Sequence, residues 1–432
     1  MTEAGASTLS SSVSLIKTII GAGLLSMPLA FSTDGLILGW WIILLAGLTS
    51  GFGLFLQTYV SKYVPPGQAT FFSICSITYP SLSVMFDFAI AVQCFGCAIS
   101  YLVLIGDLMP TIVRNYANSK TWTLASSIIC VPLSFLKNLD SLKYTSILGL
   151  LAIAYMSLLV VGHYFVGDIA RDYPEMKGPV TLWPQSLSAI FSTFSIIVFA
   201  FTGHQNMFSI INEAQNKSQA SLSLLVFVAI IVSAVLFIVV GLAGYLTFGQ
   251  NVSGNVIQMF PNGILATIGR SSIVFMVIFS FPLMLHPARI SVNNIYFWFS
   301  QWLQVRPEET TPLLAGEQAD VQNDEIESDR VATAPVVPLS NNVFNVITTT
   351  LLIVGYTAAV TVKSFALVLA IVGATGSTAI SFILPGLFGY KLIGSGVSEP
   401  KKSEKILKFL SLVLVFWGFA VMILCLYTSL YL

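Results

Sequence analysis

The chain has 432 residues, 56% of them hydrophobic and only 9% charged, whereas an ordinary soluble domain carries about 25% charged side chains. A soluble core cannot absorb that apolar excess. Nineteen basic and nineteen acidic side chains cancel to a formal net charge of zero, so composition offers no bulk attraction for a nucleic acid.

One crossing of a bilayer core takes about 20 mostly apolar helical residues. Runs of that kind, punctuated by Pro, Gly and charge, predict eleven spans, near 10–32, 37–60, 83–112, 121–137, 143–166, 185–212, 219–247, 264–287, 341–361, 365–390 and 406–430. β-barrel strands would be ~10-residue alternating segments, and these runs are continuous and longer. The fold class is therefore an all-α polytopic membrane protein with 11 transmembrane helices. Its expected organisation is a cytosolic tail over 1–9, spans one to eight within 10–299, a disordered cytosolic loop over 300–340 and spans nine to eleven within 341–432. The opening MTEAGASTLSSS has neither a basic n-region nor a small-residue cleavage site, so the first run is expected to remain as a span.

Orientation follows from the excess of Lys and Arg in cytosolic loops. With the N-terminus in the cytosol, thirteen of the 19 basic residues fall on that side, and the odd span count puts the C-terminus in a lumen or outside. Ten of the chain's charged residues lie between Arg306 and Arg330, a composition that cannot bury enough apolar surface to fold alone. In this loop Glu309, Leu313 and Leu314 fit the acidic dileucine pattern that sorting adaptors read on the cytosolic side, although so short a pattern also arises by chance. Asn251, in the sequon Asn251-Val252-Ser253, falls in a luminal loop and is the expected glycosylation site.

Cys94 and Cys97 form a C-x-x-C inside an apolar run, where they read as small packing residues rather than a redox or zinc pair. No catalytic motif of a hydrolase, metalloprotease or nucleotide-binding loop occurs. Neither a cofactor nor a metal is expected, and an enzyme is disfavoured.

Two spans are interrupted. In the first, Gly21-Ala22-Gly23 is followed by Pro28; in the sixth, Phe201-Thr202-Gly203-His204 puts a glycine and polar groups at mid-membrane. Matching interruptions in corresponding members of two halves point to an inverted-repeat transporter and to its site. Unwound helix in hydrocarbon is tolerated only around a polar cavity, and a zwitterionic amino acid supplies partners for the freed N–H and C=O groups. The plainer alternative is that Gly21 and Gly23 only permit close helix packing.

The runs SVSLIKTIIGAGLLSMPLAF, VMFDFAIAVQCFGCAISYLVLIGDLMP and IVFAFTGHQNMFSIINEAQ resemble the amino acid/auxin permease family, and within it the Avt-type vacuolar amino-acid exporters of yeasts. The resemblance covers nearly the whole chain outside 300–340. It implies a LeuT-like 5+5 inverted repeat plus one extra helix, and proton-coupled movement of neutral amino acids from vacuole to cytosol. Thr18, Gly21, Ala22 and Gly23 match the family's unwound first span, and Thr202, Gly203 and His204 its sixth; these are the candidate substrate-binding residues.

Sodium-coupled relatives place asparagine where this chain has Lys17, and a hydroxyl residue where it has Ser280. A Lys17 ammonium contacting Ser280 would occupy the sodium position, making Lys17, Ser280 and His204 the candidate ion or proton groups. The alternative for Lys17 is that it snorkels to the cytosolic interface. Asp87, Asp107, His163 and His286 are further ionisable groups in the spans that could carry a proton; of these Asp87, Asp107 and His286 read rather as interfacial or structural, and Tyr101 is a candidate for closing the cavity. A membrane amino-acid sensor of the same fold, or a plasma-membrane importer, remains open at this level because fold does not fix function.

Overall fold

The structure, a computed structural model, describes residues 6–113, 116–136, 143–184, 186–304, 339–362, 364–396 and 399–431. The dileucine residues Glu309, Leu313 and Leu314 lie outside this set.

The first span is broken. Helix α1 (Thr8–Ile19) stops at Ile20 and Gly21, a 3-10 segment follows over Ala22–Ser26, and α2 (Met27–Asp34) completes the crossing with a bend of 48°. Pro28 sits in the first turn of α2, where a missing N–H costs no hydrogen bond. Gly35 turns the chain at φ +76°. The loop carbonyls of Thr181 and Leu182 accept from Leu36 and Ile37, satisfying the first N–H groups of α3 (Leu36–Val60).

A short helix, α4 (Phe71–Thr78), leads into α5 (Ser83–Ile112). The expected fourth span is two short helices, α6 (Ser119–Ala125) and α7 (Ser127–Ser134), joined at Ser126. Next come α8 (Lys143–Val166) and α9 (Asp168–Asp172). The sixth span is α10 (Leu187–Ala200) and α11 (His204–Glu213), separated by three non-helical residues. Helix α12 (Gln219–Phe248), α13 (Val256–Met259) and α14 (Ile264–Gln304) follow. Pro282 and Pro287 leave α14 continuous, so it runs well past the expected end near 287.

After α15 (Asn341–Thr361), the tenth span opens as α16 (Phe365–Val372), widens into two π-helical stretches, Gly373–Ser377 and Ala379–Ile383, and closes as α17 (Leu384–Leu392). Helix α18 (Lys402–Tyr431) ends the chain. Among the described residues nine helices are long and apolar enough to cross a membrane, or ten when the bent first pair is counted as one span. The chain is a polytopic all-α membrane protein.

Large apolar side chains such as Trp41, Leu48, Phe227, Ile353 and Phe416 are exposed, as lipid-facing positions must be, since hydrocarbon solvates them as well as a core does. Close approach of the inner helices is set by small residues. A Cβ on Gly53 of α3 would overlap the Ser381 carbonyl oxygen, and one on Gly373 would overlap that of Ser195 on α10. These contacts bring the π-helical part of the tenth span against the sixth and second spans. The N-terminal tail joins the same bundle, because Ala6 and Ala214 form a parallel bridge just beyond α11.

Candidate functional site

The two breaks meet. Ile20 leaves the helix at ψ 87° and Gly21 at φ −121°, ψ −148°, so the carbonyl end of α1 and the N–H end of the 3-10 segment face a common space. A Cβ on Gly23 would stand 2.7 Å from Ala200 Cβ and 2.9 Å from Ala200 Cα, so Gly23 seats the first break on the end of α10. Only glycine permits that approach. Gly21 is different: nothing lies within 4 Å of where its Cβ would be, because it faces the cavity.

That cavity has a volume of about 40 Å³ and is lined by Thr18, Ile19, Gly21, Ala22 and Gly23 from the first span and by Phe199, Ala200, Thr202 and Gln205 from the sixth. Gln93, Cys97 and Tyr101 of α5 and Met284 of α14 close it. At about 10–15 Å³ per water it has room for a few waters and is too narrow for an amino acid. Four helix ends border this space through Ile19, Ala200, Ala22 and Gln205: the carbonyl ends of α1 and α10, and the N–H ends of the 3-10 segment and α11. First-turn N–H groups lack intrahelical acceptors and last-turn carbonyls lack donors, and their partial charges favour a carboxylate and an ammonium respectively. Two side-chain amides add polar groups. Gln93 Oε1 accepts from Ser377 of the π-helical stretch at 2.6 Å, and Gln205 Oε1 has no hydrogen-bond partner.

The cavity thus gathers Thr18, Gly21, Ala22, Gly23 and Thr202 of the expected substrate residues. Gly203 and His204 stand behind it. A Cβ on Gly203 would meet Ile19 at 2.9 Å and Leu15 at 3.1 Å, so this glycine packs α11 on α1. His204 is fully buried, with Nε2 3.1 Å from Ser50 O and Nδ1 3.0 Å from Ser381 Oγ. In the neutral ring, Nε2–H donates to the carbonyl and Nδ1 accepts from the hydroxyl. Gln57 Nε2 donates to the His204 carbonyl at 3.2 Å. Both imidazole nitrogens are therefore spent on tying the sixth span to α3 and to the tenth. Thr202 donates to Val198 O at 2.7 Å and lies 3.4 Å from Ser381 Oγ, linking the cavity wall to that buried cluster.

Lys17 is half-buried at the end of α1, and its ammonium makes no hydrogen bond or ion pair among the described residues. Ser280 is half-buried on α14 outside the cavity lining, and no hydrogen bond joins the two among the described residues. Asp87 Oδ1 accepts from Asn294 at 3.0 Å. The Asp107 backbone carbonyl accepts from Gln258. His163 Nδ1 sits 2.8 Å from Asp168 at a helix end, and His286 pairs with Arg289. Asn251 is exposed between α12 and α13, its Nδ2 3.4 Å from Met176 O. All five cysteines are free and buried. Among the described residues no group of His, Cys, Asp and Glu could hold a metal.

Sequence reasoning missed Gln93 and Gln205. A glutamine in the apolar run around Gln93 was a visible signal, whereas Gln205 was legible only as the neighbour of His204.

Residues 4–429 match the family model described as transmembrane amino acid transporter protein. The chain is 40% identical to vacuolar amino acid transporter 7 of Saccharomyces cerevisiae, covering 99% of both chains. It is likewise 40% identical to vacuolar amino acid transporter 6 of that yeast, over 97% of both. Solute carrier family 38 member 8 of Homo sapiens is 26% identical over 66% of this chain and 67% of its own. The family and these relatives are transporters, not enzymes. With a family match over almost its entire length and two broken helices meeting at a polar cavity, the chain belongs to the transmembrane amino acid transporter family, the amino acid/auxin permeases.

Proposed function

We propose that this protein is a secondary active transporter that moves neutral amino acids across the vacuolar or lysosomal membrane, by proton-coupled export from lumen to cytosol. The observation that carries the reading is the meeting of the two breaks: Gly23 rests on Ala200, and both broken spans line one cavity. A carboxylate fits the N–H ends of the 3-10 segment and α11, and an ammonium fits the carbonyl ends of α1 and α10. Thr18, Gly21, Ala22, Gly23 and Thr202 contact the solute, with Gln93 and Gln205 completing the wall. Gly203 and His204 hold the sixth break in place, and His204 communicates with the cavity through Ser381 and Thr202.

On this reading α6 and α7 together make the fourth crossing, giving eleven spans in a LeuT-like five-plus-five inverted repeat with one added helix. The breaks then occupy corresponding members of the two halves. The N-terminus is cytosolic and the C-terminus luminal. The 300–340 loop faces the cytosol, where Glu309, Leu313 and Leu314 would meet a sorting adaptor, and Asn251 faces the lumen for glycosylation. Lys17 takes the place of a sodium ion and makes transport sodium-independent.

Amino-acid flux in isolated vacuolar vesicles, with and without a proton gradient and with and without sodium, tests the proposal. The expected result is gradient-dependent, sodium-independent efflux of neutral amino acids. Specific binding without flux would replace the carrier by a sensor.

A further inference from the structure

One acidic side chain in these two spans has no part in the cavity. Asp34, the last residue of α2, is 0% exposed. Its Oδ1 accepts from Thr193 of α10 at 3.0 Å and from Thr33 at 3.4 Å, the two hydroxyl oxygens being 3.0 Å apart. Its Oδ2 has no hydrogen-bond partner.

Charged neighbours do not compensate it. The elements packed on α2 are α10, α12, α3, the preceding 3-10 segment and the short 3-10 turn Gly249–Asn251. Neither α10 nor either 3-10 segment contains a titratable residue. Helix α12 offers only Tyr245, whose hydroxyl is used by Thr181 and Gln250, and α3 only Tyr59 at its far end. Arg171 of α9, which pairs with Asp172, and Glu175 and Lys177 beyond it are exposed, and none of them makes a hydrogen bond or ion pair with Asp34.

A bare carboxylate sealed in a membrane segment, with one oxygen unpartnered and no cation beside it, is strongly disfavoured. An alkali ion would need a shell of oxygen ligands. Among the described residues the side-chain oxygens bonded to the carboxylate are those of Thr33 and Thr193 alone, short of such a shell. A proton needs no such shell.

Helices α2 and α10 lie on the same side of the cavity, the luminal one in the orientation proposed above. A solute from the lumen reaches the cavity only when these half-helices part, which would remove Thr193 from Asp34 and open the carboxyl to water. We propose that Asp34 is a proton-binding site of the luminal gate: α2 and α10 close together on taking up one luminal proton, and opening returns it to the lumen. The inference rests on the orientation and carrier function just proposed.

Gate access can be read without measuring flux. Ser32 is buried beside Asp34, whereas Tyr173 lies exposed in the luminal loop. Ser32→Cys and a Tyr173→Cys control are labelled with a membrane-impermeant thiol reagent applied to the luminal face of proteoliposomes holding the full chain, and the labelling of the parent chain, whose Cys97 lines the cavity, is subtracted at each pH. Relative to the control, labelling at position 32 should fall on acidification with a slope of up to about tenfold per pH unit, the limit for one linked proton. In Asp34→Asn the low labelling should persist at neutral pH.

A flat profile with Asp34 present overturns the proposal, as does an unchanged slope in Asp34→Asn, or protection that follows sodium instead of pH. If Asp34→Asn does not fold, Thr193→Val serves in its place: the site requires the profile to move along the pH axis, and an unmoved profile rejects it. Absence of amino-acid flux in the same vesicles would sink the carrier function and leave this readout interpretable.

Discussion

The two breaks share a motif but differ in how they are anchored. At the first, nothing lies within 4 Å of the point where a Cβ on Gly21 would stand, Lys17 and Thr18 are half-buried, and Asn206 Nδ2 reaches Thr18 Oγ1 only at 3.5 Å, while the buried 3-10 segment that follows is held by Ser26 Oγ donating to Gly254 O. At the sixth, Thr202 and His204 are buried, and hydrogen bonds to Ser50 O, Ser381 and Gln57 fix the backbone and ring to α3 and the tenth span. Segments with few buried partners open at lower free energy than those with many. Between Lys17 and Gly21 the first break is thus the more compliant wall of the cavity, and the sixth is the more firmly held.

The largest effect should come from the contact behind the fixed wall. Gly53→Val would drive a side chain into the Ser381 carbonyl and push α3 off the tenth span, costing about 3 kcal/mol or more. A thermal melt of the detergent-purified variant close to that of the parent would show that the sixth break is not clamped there.

His204→Ala comes next. It removes both ring hydrogen bonds and leaves Ser50 O and Ser381 Oγ to be satisfied otherwise, at about 1–3 kcal/mol for each buried group left unpaired. The expected outcome is a lowered melting temperature with substrate affinity changed less than stability. Loss of affinity with an unchanged melt would place the imidazole in the cavity.

The glycine pair of the first break separates compliance from packing. Gly23→Ala meets Ala200 and should cost about 1–2 kcal/mol together with transport. Gly21→Ala points into open space, should stay within about 0.5 kcal/mol of the parent, and should act on substrate affinity. Equal losses of stability at the two positions would contradict the asymmetry.

The smallest structural effect is expected for Lys17→Ala, since the ammonium has no partner among the described residues; stability should again stay within about 0.5 kcal/mol. Its consequence should appear in the ion dependence of flux, and a variant with the parent's pH and sodium response would remove Lys17 from the coupling machinery.

Much of this was legible beforehand because the bilayer makes strong demands of sequence. Ten of the eleven expected crossings fall on helices or helix pairs long enough to span, since hydrocarbon requires long apolar runs whatever their neighbours do. The exception is 121–137, where Ser126 and Pro132 lie within a short segment whose two helices are each under ten residues. Both breaks were also visible, as Gly21-Ala22-Gly23 and Phe201-Thr202-Gly203, because glycines and polar residues at mid-membrane are costly unless something uses them.

Side-chain direction was not legible. His204 looked like a cavity residue from its place beside Gly203, yet it turns to Ser50 and Ser381, which are 154 and 177 residues away. Nor did Asp34 stand out, because an aspartate before a glycine reads as a helix end, and only the packing of α2 on α10 shows it sealed against Thr193. Sequence determined where the chain crosses the membrane and where those crossings fail, since both follow from the local free energy of placing backbone and side chains in hydrocarbon. Which polar groups face one another, and which are left without partners, depends on contacts between spans distant in the chain, and only the tertiary structure decided that.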